Sequence, residues 1–117
     1  MLFICYPNCS TCKKAQRWLD EHHFDYTFRD IKLDNPQVEE LKNWYKLSEL
    51  ELKRFFNTSG DIYRSLNLKD KLTSMSEADQ LALLATNGML VKRPLLILDD
   101  KVLVGFKEKD WLDKLKI

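Results

Sequence analysis

The sequence lacks any long apolar run. No stretch among its 117 residues approaches the roughly 20 apolar residues that a membrane-spanning helix needs. The apolar start, residues 1–6, is too short for a signal peptide and has no basic segment. We therefore expect no membrane segment and a cytoplasmic location.

The sequence also lacks an excess of charge of one sign. Its 19 basic and 18 acidic residues give a formal net charge of +1. Nucleic-acid-binding proteins usually show a strong basic excess or stripe, so composition gives no argument for that function. With 44% hydrophobic residues the chain can bury a core, and we predict one domain over residues 1–117.

Cysteine is scarce, with three in the chain. A protein of this length does not need disulfides for stability, and cytosolic thiols are mostly reduced. We therefore expect the cysteines to be catalytic, metal-binding or incidental rather than structural. Cys5, inside the first predicted strand, is expected to be buried and inert.

The hydrophobic pattern predicts an α/β fold. Residues 2–6 are typical of a buried strand, residues from Ser10 onward recur at helical spacing, and residues 24–28 alternate like a half-buried strand. About four helical segments follow over residues 35–87, and Asn35-Pro36 should open the first of them with Pro36 at the first helical position. Residues 95–98 and 102–104 predict a hairpin that precedes a final helix.

Three local signals predict where helices begin or end. Ser48 should begin a helix through a capping box, and Asn87-Gly88 should end a later one in a left-handed cap. His22 and His23 should cap the carbonyls of the first helix. The predicted order is β-α-β, a helical insertion over about 35–87, then β-β-α around a mixed sheet.

A C-x-x-C motif, Cys9-Ser10-Thr11-Cys12, stands between the first strand and the first helix. Unpaired N–H groups at a helix start stabilise a thiolate, and Lys13 adds positive charge nearby. This context is typical of thioredoxin-like redox proteins. We predict that Cys9 is the nucleophile and Cys12 the resolving thiol, and that mild oxidation joins them.

Two other interpretations of the motif stay open from the residues alone. The two cysteines could be ordinary small residues near a helix start. They could also be half of a zinc site, but one C-x-x-C supplies two of four ligands, and His22-His23 lacks the spacing of a ligand pair.

Arg93-Pro94 directly precedes the strand predicted at 95–98. In a thioredoxin-like fold a cis proline stands here, opposite the active cysteines, and X-Pro bonds readily adopt the cis form. Arg93 would then face Cys9, lower its pKa and hold an oxyanion. The alternative is a solvated surface arginine.

These motifs resemble the arsenate reductase/Spx family of thioredoxin-like proteins. The resemblance covers essentially the whole chain and rests on residues 6–15, residues 56–60 with Tyr63, residues 92–96, and Gly105-Phe106. Glutaredoxin-coupled arsenate reductases attack arsenate with one cysteine, which matches Cys9, and hold it with three arginines. Arg93 matches one arginine, Asn57 stands at the second position, and the third falls near Gly105-Phe106. The resemblance therefore predicts weak arsenate reduction.

Spx-type regulators, the other branch, use C-x-x-C as a redox switch and bind the C-terminal domain of the RNA polymerase α subunit. We expect a monomeric thiol–disulfide oxidoreductase with catalytic Cys9, Cys12 and Arg93; the alternative is such a regulator. Electrons would come from glutathione with glutaredoxin, or from thioredoxin, and we expect no bound cofactor, metal or nucleic acid. The expected supporting residues are Pro94, Ser10, Thr11, Lys13 and Asn57.

Overall fold

The computed structural model of the protein describes residues 1–116. None of the helices within this range is long and apolar enough to cross a membrane. The helices and strands in chain order are β1 Leu2–Cys5, α1 Ser10–Glu21, β2 Thr27–Asp30, α2 Val38–Ser48, α3 Asp61–Ser65, α4 Leu68–Lys71, α5 Glu77–Leu84, β3 Leu95–Ile97, β4 Val102–Val104 and α6 Glu108–Lys114. Short 3-10 turns cover Leu52–Phe55, Leu72–Ser74 and Gly88–Leu90.

The four strands form one mixed sheet in the order β2-β1-β3-β4. β1 runs parallel to β2 and antiparallel to β3, and β3 and β4 form the predicted antiparallel hairpin. In this register Phe3 of β1 lies opposite Phe28 of β2 and Leu96 of β3. The predicted α/β fold with a mixed sheet is confirmed.

Alternation along β1 divides the core between the two faces of the sheet. Phe3 and Cys5 face α1 and α6, where Trp111 is buried with them. Ile4 faces the opposite side and packs with the buried residues contributed by the middle of the chain. Cys5 therefore lies under α1, in the smaller of the two clusters.

One face of α1 is buried against the sheet. Cys12, Ala15 and Leu19 recur at the spacing that places side chains on one face of a helix, and all three are buried. Trp18 covers the edge of this stripe. Cys12 therefore points toward β1, and this direction decides its bonding partner.

The structure corrects two predicted helix starts, at Pro36 and at Ser48. α2 begins at Val38 rather than at Pro36, since Gln37 is its N-cap and forms a reciprocal capping box with Glu40. Ser48 ends α2 instead of starting a helix, because the next residue, Glu49, adopts the left-handed conformation of a C-cap, with a φ of 58°. The next element is only the 3-10 turn at Leu52–Phe55.

The remaining boundaries show one confirmation and two corrections. His22 caps α1 as predicted, with Nδ1 2.8 Å from the Trp18 carbonyl oxygen. β2 begins at Thr27, later than the alternating pattern indicated, and Phe28 is exposed. Gly88 does not form a left-handed cap; it opens a 3-10 turn where a Cβ would overlap the Ile31 carbonyl.

Candidate thiol site

Cys9 is the residue immediately before α1. Its backbone is extended, its N–H donates to the Tyr6 carbonyl at 3.0 Å, and its carbonyl accepts the Lys13 N–H at 3.0 Å. These bonds fix the turn that follows β1 and place the half-buried thiol at the helix start. The unpaired N–H groups of the first turn are therefore directed toward its sulfur.

The pKa of the Cys9 thiol is lowered from its ordinary value. Partial burial raises this pKa, but the backbone N–H of Cys12, the Arg93 side chain and the backbone N–H of Thr11 together lower it by more. Each of these donors stabilises the thiolate, and the thiolate is the reactive form of cysteine. The site therefore favours the nucleophilic thiolate of Cys9 more than an ordinary cysteine site does.

Arg93 is held beside Cys9 by contacts on several sides. The Arg93–Pro94 bond is cis, as predicted. The guanidinium lies 5.6 Å from the Tyr6 ring centroid, and its Nη1 donates to the Met89 carbonyl at 3.4 Å. Its buried Nε has no hydrogen-bond partner among residues 1–116. The half-buried Arg93 is thus a fixed cation with a free donor, and the solvated-surface interpretation is wrong.

A cleft of about 490 Å³ opens above these groups. It brings together four of the predicted site residues, namely Cys9, Thr11, Asn57 and Arg93. Lys92, Ser59 and Met89 also line it. Lys92 and Ser59 belong to the segments on which the resemblance rests, whereas nothing in the sequence pointed to Met89. Two cations, Lys92 and Arg93, and one acid, Asp61, border the space, which favours an anionic ligand.

Asn57 faces Cys9 across this cleft as a neutral amide. Its Nδ2 donates to the Met89 carbonyl at 3.4 Å, and its Oδ1 accepts the Ser59 hydroxyl at 3.4 Å. Its backbone N–H donates to Leu90 at 2.8 Å. These bonds fix the loop without adding positive charge.

The other predicted supporting residues lie outside the cleft. Ser10 and Lys13 are exposed, and Lys13 lies on the outer face of α1 with Gln16 and Arg17. Pro94 is buried, and its carbonyl accepts the Gly105 N–H at 2.8 Å. Pro94 therefore links β3 to the end of β4.

The Gly105-Phe106 segment is a turn that holds α6. Gly105 has a φ of 75°, which favours glycine, and its carbonyl accepts the Trp111 Nε1–H at 3.1 Å. The Phe106 ring meets Trp111 edge to face, with centroids 4.8 Å apart. Gly105 and Phe106 carry no charge themselves, and the Lys92 side chain passes beside Gly105, where an added Cβ would lie 3.5 Å from Lys92 Cε.

Cys12 is bonded to Cys5, whereas Cys9 is free. This structure therefore corrects the predicted Cys9–Cys12 bridge, and Cys5, which is buried as predicted, is bonded rather than unpaired. The physical reason is the direction of two side chains: Cys12 lies on the buried face of α1, and Cys5 on the facing side of β1. Their Cα atoms are 5.8 Å apart.

The sequence carried a signal for this pairing. Cys12 shares helical spacing with Ala15 and Leu19, and Cys5 shares strand alternation with Phe3. Combining the two periods places both sulfurs in the layer between α1 and the sheet. Within residues 1–116, no group of three or more His, Cys, Asp or Glu side chains is placed to hold a metal ion.

The four-stranded mixed sheet, the free cysteine at the start of α1 and the cis proline before β3 together define a thioredoxin-like thiol protein. The model of the ArsC family matches residues 5–114. The chain therefore belongs to the ArsC family.

Individual relatives agree with this assignment. The chain is 55% identical to the uncharacterized protein YusI of Bacillus subtilis over 95% of this chain and 94% of that protein. It is 30% identical to the global transcriptional regulator Spx of Staphylococcus epidermidis over 89% of this chain and 78% of the regulator. The crystal structure of an ArsC-family-related protein from Bacteroides fragilis superposes with a TM-score of 0.94, at 58% identity over 97% and 95% of the two chains.

Proposed function

We propose that this protein is a thiol–disulfide oxidoreductase in which Cys9 is the nucleophile. One observation carries the proposal: the free Cys9 thiol has a lowered pKa and borders an open cleft beside the fixed guanidinium of Arg93. Thiolate character and access are the two conditions for a reactive cysteine. The site meets both.

The proposed reaction begins when the Cys9 thiolate attacks one sulfur of a substrate disulfide. The Cys9–substrate bond forms, the substrate S–S bond breaks, and the other half leaves as a thiolate. Cys12, whose backbone N–H already faces the Cys9 sulfur, then resolves the mixed disulfide when its own thiol is reduced. Arg93 and the N–H groups of α1 stabilise Cys9 whenever it is a thiolate.

The charge of the cleft bears on the substrate and on the electron donor. Lys92 and Arg93 favour the carboxylates of a peptide thiol such as glutathione. We propose glutathione with glutaredoxin, or a thioredoxin-type protein, as the source of electrons. The protein would act as a monomer in the cytoplasm.

Trapping of the mixed disulfide tests this function. The Cys12→Ser variant, treated with glutathione disulfide, should accumulate glutathione on Cys9, because the resolving thiol is missing. Peptide mass spectrometry locates the adduct, and the Cys9→Ser/Cys12→Ser double variant is the matched control. Glutathione on Cys5, or none on Cys9, would refute the proposal.

A second candidate function is a redox-sensing transcriptional regulator. The 30% identity to Spx and the C-x-x-C motif favour it. In this case the cysteines would act as a switch, and a surface of the domain would bind the C-terminal domain of the RNA polymerase α subunit. Capture of that purified domain by the oxidised protein, with no disulfide turnover by the reduced protein, would favour the regulator.

A further inference from the structure

We propose that Cys5 is a second resolving thiol, and that the Cys5–Cys12 disulfide is where the protein holds the oxidising equivalents taken up at Cys9. This inference rests on the proposed role of Cys9 as nucleophile and extends it. In this relay, successive thiol–disulfide exchanges transfer the disulfide from Cys9 in the cleft, through Cys12, to Cys5 in the core.

Cys12 interacts with both of the other cysteines. Its backbone N–H stabilises the Cys9 thiolate, and its own sulfur is bonded to Cys5. Cys9 is half-buried and borders the cleft, Cys12 is 3% exposed, and Cys5 is completely buried. Exposure thus falls along the order Cys9, Cys12, Cys5, and an external thiol in the cleft has access to Cys9.

The relay has three balanced steps, which start from three reduced cysteines and a glutathione-type disulfide. In the first, the Cys9 thiolate forms a mixed disulfide and releases one glutathione thiolate. In the second, the Cys12 thiolate attacks the Cys9 sulfur, forms Cys9–Cys12 and releases the second glutathione. In the third, the Cys5 thiolate attacks the Cys12 sulfur, forms Cys5–Cys12 and releases the Cys9 thiolate.

The third step is favoured because thiolates of low pKa are better leaving groups. Helix N–H groups and Arg93 stabilise the departing Cys9 thiolate, and the Tyr6 N–H, 3.4 Å from the Cys12 sulfur, polarises the bond under attack. Two protein thiols are oxidised and one disulfide is reduced to two glutathiones. Cys9 is free again at the end, as in the structure.

The reverse path must also pass through Cys9. Since Cys5 and Cys12 are buried, an external reductant reaches their bond only after Cys9 attacks Cys12 and brings the disulfide to the cleft. A purely structural Cys5–Cys12 disulfide would show no such dependence. This difference separates a relay from a structural bond.

The test follows disulfide exchange in the reduced, full-length protein after one equivalent of glutathione disulfide. Samples are quenched with acid at intervals, alkylated and mapped by mass spectrometry. Wild type should pass through Cys9–Cys12 and end as Cys5–Cys12 with Cys9 alkylated. The Cys5→Ala variant should stop at Cys9–Cys12.

Cys9→Ser provides an independent measurement that alters no core residue. In this variant, formation of Cys5–Cys12, and its reduction by glutathione, should slow on the order of tenfold or more, because the entry thiol is missing. Equal rates in Cys9→Ser and wild type, or a wild-type reaction that ends at Cys9–Cys12, would overturn the relay. Failure of Cys9 to take up glutathione in Cys12→Ser would instead overturn the proposed function itself.

Discussion

The Cys9→Ser variant is expected to lose turnover of glutathione mixed disulfides by about a thousandfold or more, that is, to the uncatalysed level. A serine hydroxyl stays protonated at neutral pH, so the helix N–H groups and Arg93 have no thiolate to stabilise. The measurement is steady-state release of thiol from a mixed disulfide of glutathione and a small thiol.

Two controls make this result specific to Cys9. Thermal unfolding of Cys9→Ser should match that of wild type when both proteins are fully reduced, because they then differ only at one half-buried side chain. Lys69→Ala, which changes an exposed lysine of α4 outside the cleft, should leave turnover unchanged. If Cys9→Ser kept a tenth or more of the wild-type rate, another group would have to be the nucleophile.

Arsenate should be reduced about ten-thousandfold more slowly than by a site that has all three arginines, since each preorganised donor contributes on the order of a hundredfold. Arsenate, like phosphate, carries a charge near minus two, and an attacking thiolate adds to the repulsion. Where the resemblance to arsenate reductases would put the second arginine, this chain has neutral Asn57, which is bonded to Met89 and Ser59. Where it would put the third, the chain has the Gly105 turn.

Arsenate reduction coupled to glutathione and glutaredoxin measures this effect, with Cys9→Ser as the blank. Asn57→Arg should raise the rate, because it puts a second arginine into the cleft, whereas the neutral Asn57→Gln should not. Robust Cys9-dependent turnover by the natural chain would contradict the account. It would mean that Lys92, or Arg54 in the neighbouring groove, supplies the missing charge.

The sheet and the thiolate position could be predicted because both depend on local patterns. Strand alternation and helical spacing are determined by residues within a few positions, and Cys9 follows a strand and precedes a helix in the sequence itself. The place of Arg93 beside Cys9 followed from the position of Arg93-Pro94 directly before a predicted strand of a thioredoxin-like fold. The prediction of these features does not depend on the exact helix boundaries.

The features that the sequence did not predict have two causes. Some residues can adopt two local structures, and some site residues lie far apart in the sequence. Ser48 could begin one helix or end another, and the left-handed backbone of Glu49 makes it the last residue of α2. Lys92 and Ser59 meet at the cleft although 33 positions separate them, and only the folded chain brings them together. To predict the Cys5–Cys12 pairing, the helical spacing of Cys12 has to be combined with the strand alternation of Cys5. The C-x-x-C motif instead indicates a pairing of Cys9 with Cys12.

The measurement that tests the central claim most directly is the pH dependence of alkylation at each cysteine of the fully reduced protein. Limiting iodoacetamide at neutral pH should label Cys9 first. Because the Cys9 pKa is lowered, its labelling should persist at pH values where an ordinary thiol is protonated, and decline only as the pH falls through that lowered pKa. In Arg93→Gln the midpoint should move to higher pH, since a stabilising cation is lost. Equal labelling of Cys5, Cys9 and Cys12, or a midpoint unmoved by Arg93→Gln, would contradict the account.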